Sequence, residues 1–449
     1  MSSLLNISPI DGRYATATKM LQPLCSEFGL IKLRVLVEST WLQVLIKAIQ
    51  QRAPTDLAQY LQNLNEKFSL ADAATIKTIE KETNHDVKAV EYFLRRKLTT
   101  NRKLKKYSEL IHFACSSEDI NNTAYALMTK ALRAQYLLPQ MKKIILALQT
   151  LAKKYAAIPM LSRTHGQIAT PTTIGKELTN FVVRLKEQYQ KCAQIKIKAK
   201  FNGSVGNFNA YYAAYPNIDW IKINRNFIQK LCLTWNLYTT QIEQHDYLVE
   251  LSDTIKMFNH ILVGLARDIW GYIALGYFKQ KIITKEIGSS VMPHKINPID
   301  FENAEGNLGI ANALLQHFSD KLLISRWQRD LSDSTVLRNI SSSFAYALIA
   351  YKSMVKGLDK LEVDQKQINL ELDQHWEVLA EAIQTVMRRF GIKNSYEALK
   401  TLTRGNKISR KTIHSFIRKL SIPESAKKRL LKLTPATYVG TGTKLALDS

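Results

Sequence analysis

Between Gly288 and Pro298 the chain reads GSSVMPHKINP, a string that holds the residue types from which a base could be built. Its glycine and two prolines are poorly suited to a helix interior, so Ser289 and Ser290 are expected on a loop. A serine hydroxyl is a weak base or nucleophile until its anion is stabilised or a neighbour accepts its proton. Lys295, the loop amides and the positive end of a helix starting after Pro298 could supply that stabilisation. The plainer alternative is a serine-containing linker with an incidental lysine.

Four further stretches place polar groups at expected helix starts. TNHDVKAVEYF has Thr83 and Asp86 at capping-box spacing before an apolar run, and SSEDINNTAYAL repeats the spacing with Ser116 and Asp119. RTHGQIATPTTIG predicts Thr170 as cap and Pro171 in the first turn, with His165 on the loop upstream. HKINPIDFE predicts Asn297 as cap and Pro298 at the first helical position, followed by acids. Each reads on its own as an ordinary cap. Together they put several helix N-termini, with free N–H donors, in one protein, which suits a ligand carrying several negative charges. The motifs of other chemistries are missing: there is no GxxxxGK[ST], no GxGxxG after a strand, no HExxH and no GxSxG. His112 and Cys115 stand three apart without a second pair nearby, so packing explains them better than a metal.

These residues must be positioned by helices. Leu138, Met141, Ile145, Leu148, Ala152 and Tyr155 step by three and four, as do Ile174, Leu178, Phe181, Leu185, Tyr189 and Cys192. Ile255 to Tyr272, Ile310 to Leu322 and Ile340 to Leu358 continue the pattern. Five long amphipathic helices argue for a bundle. Strand-like alternation is weak throughout, and 17 glycines with 11 prolines leave few tight turns. The chain reads as all-α in three parts: an N-terminal helical domain over 1–105, a central bundle over 106–358 and a C-terminal helical domain over 359–449.

Composition narrows the class further. Four widely spaced cysteines fit reduced thiols in a cytoplasm better than a disulfide framework. The segment MSSLLNISPIDGRY has no signal-peptide pattern, and no apolar run reaches membrane-spanning length. The balance of 63 Lys and Arg against 38 Asp and Glu gives a net charge of +25. Such a field would draw in a nucleic acid or a small anionic substrate alike. The basic clusters, RRKLTTNRKLKK and residues 393–432, are not interleaved with aromatics and match no nucleic-acid-binding signature. A lysine-rich enzyme with no polynucleotide partner is therefore the expectation.

GSSVMPHKINP resembles the signature loop of the fumarase/aspartase superfamily, whose members eliminate fumarate from succinyl-type substrates. SPIDGRY, TNHDVKAVEYF, HFACSSEDINN, LSRTHGQIATP, RWQRDLSDSTVLRN and LTRG resemble the adenylosuccinate lyases of that superfamily, in their long bacterial form, from about residue 8 to about residue 440. The resemblance implies cleavage of adenylosuccinate to AMP and fumarate, and of the succinyl-carboxamide ribotide SAICAR to AICAR and fumarate. It implies no metal or organic cofactor, and a homotetramer whose bundles form one core and whose active sites are shared between subunits. By the same likeness Ser289 is the general base and His165 the general acid. Ser290, Lys295 and Asn297 would hold the succinyl or fumarate carboxylates. Arg13, Tyr14, Arg329, Ser334, Thr335 and Arg338 would contact the phosphate and nucleotide. Asn84, His85, Asp86, Ser116, Ser117, Gln241 and Asn303 would make further substrate contacts. Argininosuccinate lyase and aspartase are the rival readings, and phosphate-directed arginines would separate them, because those relatives hold no phosphate.

Overall fold

A computed structural model describes residues 3–50, 54–281, 291–292, 294–403 and 408–448. Ser289 and Ser290 lie outside the described residues. The principal elements in chain order are α1 (Glu27–Gln50), α2 (Leu70–Thr83), α3 (Asp86–Thr99), α4 (Ser117–Leu132), α5 (Leu138–Lys154), β1 (Pro159–Thr164), β2 (Gln167–Thr173), α6 (Ile174–Gln194), β3 (Lys198–Ala199), β4 (Thr234–Trp235), α7 (Asp246–Ala274), β5 (Phe278–Gln280), α8 (Ile299–Lys321), α9 (Ser332–Leu337), α10 (Ile340–Asp359), β6 (Leu361–Val363), α11 (Gln365–Gln374) and α12 (Ala380–Arg389). The all-α expectation holds, and the five long periodic segments are α5, α6, α7, α8 and α10. Among the described residues no helix is long and apolar enough to cross a membrane, and all four cysteines are free thiols.

The chain divides into two compact units. The first comprises 1–141, 188–259 and 306–350; the second comprises 142–187, 260–305 and 351–449. In the first unit α1 is buried on more than one face, with Ile31, Val35, Leu42 and Ile46 packing against Ile76 and Ile79 of α2 and Val90, Phe93 and Leu94 of α3 in one core. Trp41 of α1 enters an aromatic cluster with Phe201, Tyr211 and Phe227 at centroid separations of 4.8, 5.8 and 5.4 Å.

Cap chemistry decides where the helices of this unit begin. The Ser116–Asp119 capping box is formed as expected and starts α4. The box expected at Thr83 is not. Thr83 is the last residue of α2, Asn84 closes that helix in the left-handed region at φ 50°, and the His85 Nδ1 caps α3 by accepting from the Lys88 amide at 3.2 Å. The α2 helix extends to Thr83, so the cap of α3 falls at His85, two residues later than the serine/threonine rule places it.

The second unit holds the C-terminal core of Trp376, Leu379, Ile383, Met387, Ile413 and Ile417. Gly357 of α10 is required there, since a Cβ would stand 2.8 Å from the Phe301 ring. Two sequence expectations fail in this unit. Thr170 and Pro171 do not start a helix; they lie in β2, antiparallel to β1 with Pro171 opposite Leu161. Both strands of a two-stranded ribbon are edges, where a proline costs no ladder bond on its open side. The helix starts at Ile174, with the Thr173 hydroxyl accepting from the Lys176 amide at 3.2 Å. Asn297 is also displaced, because α8 begins at Ile299 with the Pro298 carbonyl accepting from Phe301 and Glu302. The weak alternation of the sequence hid the hairpin: it is short and half-exposed, and its turn supplies its main signal.

Candidate active site

A cavity of about 780 Å³ opens in the first unit. Its wall is made from the α2–α3 junction (Asn84, His85, Asp86), the start of α4 (Ser116, Ser117, Asn121), the Gln241 segment, and the stretch from Arg329 through α9 to Arg338. These pieces are far apart in sequence, and buried polar groups hold them together. Asp119 accepts from the Ser116, Asn202 and Gly203 amides at 2.7, 3.0 and 3.2 Å and pairs with Lys200 at 3.0 Å, both side chains being fully buried. That node pins the N-terminus of α4, and with it the Ser116 and Ser117 hydroxyls, to the segment after β3. Ser117 Oγ stands 3.4 Å from His85 Nε2.

The charges of the wall are arranged in pairs. Arg34, buried within α1, donates to Asp86 at 2.6 Å and to Asn121 at 2.8 Å, and Arg338 reaches the same Asp86 oxygen at 3.2 Å. Burial pushes the Asp86 carboxyl upward, but Arg34, the Val87 amide and Arg338 outweigh it and hold the group below the ordinary carboxylate range. Arg329 pairs with Glu118 at 3.1 Å and donates to Gln241 Oε1 at 3.3 Å, while the Gln241 amide donates to the Ser204 carbonyl at 3.0 Å. His112, in the left-handed region at φ 59°, meets the buried Glu38 carboxylate at 2.5 Å. Burial alone would lower this imidazole, but Glu38 raises it above its ordinary value. The wall therefore presents Arg329, Arg338, Lys88 and a cation-biased His112 beside four hydroxyl side chains. Forked guanidinium donors and hydroxyls are the chemistry that recognises a phosphate or carboxylate.

In the second unit His165 is exposed at the tip of the β1–β2 hairpin, where His165 and Gly166 adopt φ 53° and 75°. Positive φ at both central residues is the geometry of a type I′ two-residue hairpin turn, which holds the imidazole out from the ribbon.

The same chain matches known sequences along most of its length. The profile described as "Lyase" covers residues 14–312, and that described as "Adenylosuccinate lyase C-terminal" covers residues 325–439. Adenylosuccinate lyases from Buchnera aphidicola subsp. Schizaphis graminum and from Haemophilus influenzae are each 54% identical, over 99% of this chain and 98% of theirs. The chain belongs to the adenylosuccinate lyase family. The Escherichia coli member of the family is also 54% identical, over 98% of this chain and 97% of its own. Two solved structures share the fold at low identity. They are a 3-carboxy-cis,cis-muconate lactonizing enzyme from Pseudomonas putida (TM-score 0.77, 19% identity, 96% of both chains) and a fumarate lyase from a Mesorhizobium species (TM-score 0.78, 17% identity, 96% and 97%).

Of the positions that the resemblance to adenylosuccinate lyases singles out, the cavity gathers Asn84, His85, Asp86, Ser116, Ser117, Gln241, Arg329, Ser334, Thr335 and Arg338. Arg13 is exposed, and Tyr14 meets the Asn307 amide at 3.5 Å; neither lines this cavity. His165, Lys295, Asn297 and Asn303 belong to the second unit. Lys295 is exposed, and Asn303 accepts from Ser353 at 2.7 Å. The residues that sequence reasoning missed are the buried supports: Arg34, Glu38, Glu118, His245 and Asp333. A signal was present for two of them, since Arg34 and Glu38 stand four apart in the otherwise apolar stretch LRVLVE. Charges on a buried helix face must be paired.

Proposed function

We propose that this protein is an adenylosuccinate lyase in activity, eliminating fumarate from adenylosuccinate to leave AMP and from SAICAR to leave AICAR. What supports this reading most is the cavity, where Arg329 and Arg338 stand with Ser116, Ser117, Ser334 and Thr335 around a space of nucleotide size. An argininosuccinate lyase or aspartase would have no phosphate to engage such a wall.

In the proposed reaction Ser289 takes a proton from the succinyl carbon next to a carboxylate. Negative charge spreads onto that carboxylate, where Ser290, Lys295 and Asn297 would receive it. The carbon–nitrogen bond then breaks, the electron pair leaves with the purine-side nitrogen, and His165 protonates it. Arg13, Tyr14 and Asn303 complete the substrate contacts. The step uses no cofactor, and the partners are small nucleotides rather than polynucleotides.

The reading includes the domain division at about 105 and 358, a cytoplasmic location, and a homotetramer with sites shared between subunits. Half-exposed apolar side chains on the long helices support the assembly: Leu146 on α5, Val183 on α6, Met257 and Trp270 on α7, and Ile310 on α8. The decisive measurement is ultraviolet absorbance after purified protein is mixed with adenylosuccinate. A change matching AMP and fumarate formation is expected; a flat trace at high enzyme concentration would refute the proposal.

A further inference from the structure

Among the described residues the hairpin that carries His165 is a two-stranded ribbon with no third strand, and such a ribbon is rigid only where something pins it. The pins lie in the second unit. Arg163, two residues before His165 on β1, spreads its guanidinium between two partners. Nη1 donates to the Tyr277 hydroxyl at 3.0 Å, and Nη2 pairs with Glu371 of α11. The guanidinium also lies 5.3 Å from the centre of the Tyr277 ring. Burial, and then the hydrogen bond to Glu371, pushes the Tyr277 phenol up to about 12, so it remains a donor. The three side chains form a closed triangle.

Its corners are themselves fixed. Tyr277 is fully buried, and its carbonyl accepts from the Asp364 amide at 2.9 Å. Asp364 caps α11, the helix that bears Glu371. Side-chain exposures of 21% for Arg163 and 18% for Glu371 set the pair apart from a solvated surface bridge. A second tie sits further along the ribbon, where one Glu381 oxygen accepts from Thr170 at 2.6 Å and from Tyr438 at 3.0 Å.

We propose that Arg163, Tyr277 and Glu371 are positioning residues for His165, aiming the imidazole by locking the hairpin to the start of β5 and to α11. The inference rests on the reading of His165 as the general acid. A displacement of about 1 Å at a reacting group can cost on the order of 10²-fold in rate. A ribbon loosened at Arg163 therefore loses turnover, while the nucleotide-binding wall, built in the first unit, is untouched.

The test is a set of full-length variants assayed on adenylosuccinate: Glu371→Gln, Arg163→Met and Tyr277→Phe, each alone and in a His165→Ala background. With His165 present, kcat should fall roughly tenfold with KM little changed. With His165→Ala, measured in single turnover, the same substitutions should cost nothing further, because groups that act through one residue are not additive. Glu397→Gln, which breaks an exposed pair with Lys400, is the charge control and should leave kcat unaltered. Wild-type kcat in a folded Glu371→Gln protein, or the same fold loss in both backgrounds, would overturn the proposal. Should Glu371→Gln fail to fold, Tyr277→Phe, which deletes a single O–H, decides by the same comparison. Full activity in His165→Ala would instead remove the reading of His165 as acid.

Discussion

Glu118 shows how a single buried residue sets conditions for the whole cavity. Burial raises its carboxyl first and Asp333 adds to this, while Arg329, His245 and Lys200 oppose them; the balance leaves the group at about 7 against an ordinary 4.5. A carboxyl that titrates higher folded than unfolded keeps its contribution below the unfolded value and loses it as pH rises through the folded one. His245 is raised as well, despite burial, by Asp333 and Glu243, and it acts in the same direction. Stability should therefore decline between about pH 4.5 and pH 7 as Glu118 loses its proton, by about 3 kcal/mol at the ordinary conversion of pKa to free energy. Glu118→Gln should flatten that decline in urea melts run at fixed ionic strength. Arg329, its partner, is expected to reach the substrate. Arg329→Ala should raise KM roughly tenfold to a hundredfold with kcat less affected, the worth of one hydrogen bond to a charged group. An unaltered KM would mean that the phosphate sits elsewhere.

At the scale of elements, the polar node under α4 matters more than any single cap. Asp119→Ala would strip the Ser116, Asn202 and Gly203 amides of their acceptor and leave the fully buried Lys200 ammonium unpaired. About 3–5 kcal/mol of stability should be lost, the usual cost of breaking a buried pair from one side. Chemical denaturation measures it, and a loss under 1 kcal/mol would show that the node is not under strain when emptied. Element starts were only partly legible in the sequence. The Ser116 box obeyed a local rule because the residues that form it are three apart. Thr83 obeyed the same rule on paper, and Thr170 obeyed the rule that a proline follows the cap, yet one ends a helix and the other pairs with a neighbouring strand. Both outcomes depend on contacts that local spacing does not encode.

For the molecule as a whole, the net charge of +25 bears on encounter. An anionic substrate approaching a basic protein is steered, and salt screens that field over about 10 Å at 0.1 M. Accordingly kcat/KM should fall with added salt while kcat holds. Shared sites are testable at this scale too. Ser289→Ala and His165→Ala should each cut turnover by orders of magnitude while leaving the assembly intact, and mixing them under subunit exchange should restore some activity. No recovery after confirmed exchange would argue for sites built within one chain.

By itself the sequence determined the helical class, the five long helices and the residue types of the chemistry, because apolar periodicity and short motifs are written within a few residues of one another. The tertiary structure alone decided that ten positions scattered from Asn84 to Arg338 share one cavity. It alone decided that His165 crowns a hairpin, and that Arg34, Glu38 and Glu118 lie buried behind the wall. Those facts arise from pairing across long stretches of chain, where a buried charge finds its partner only after folding has brought the two together.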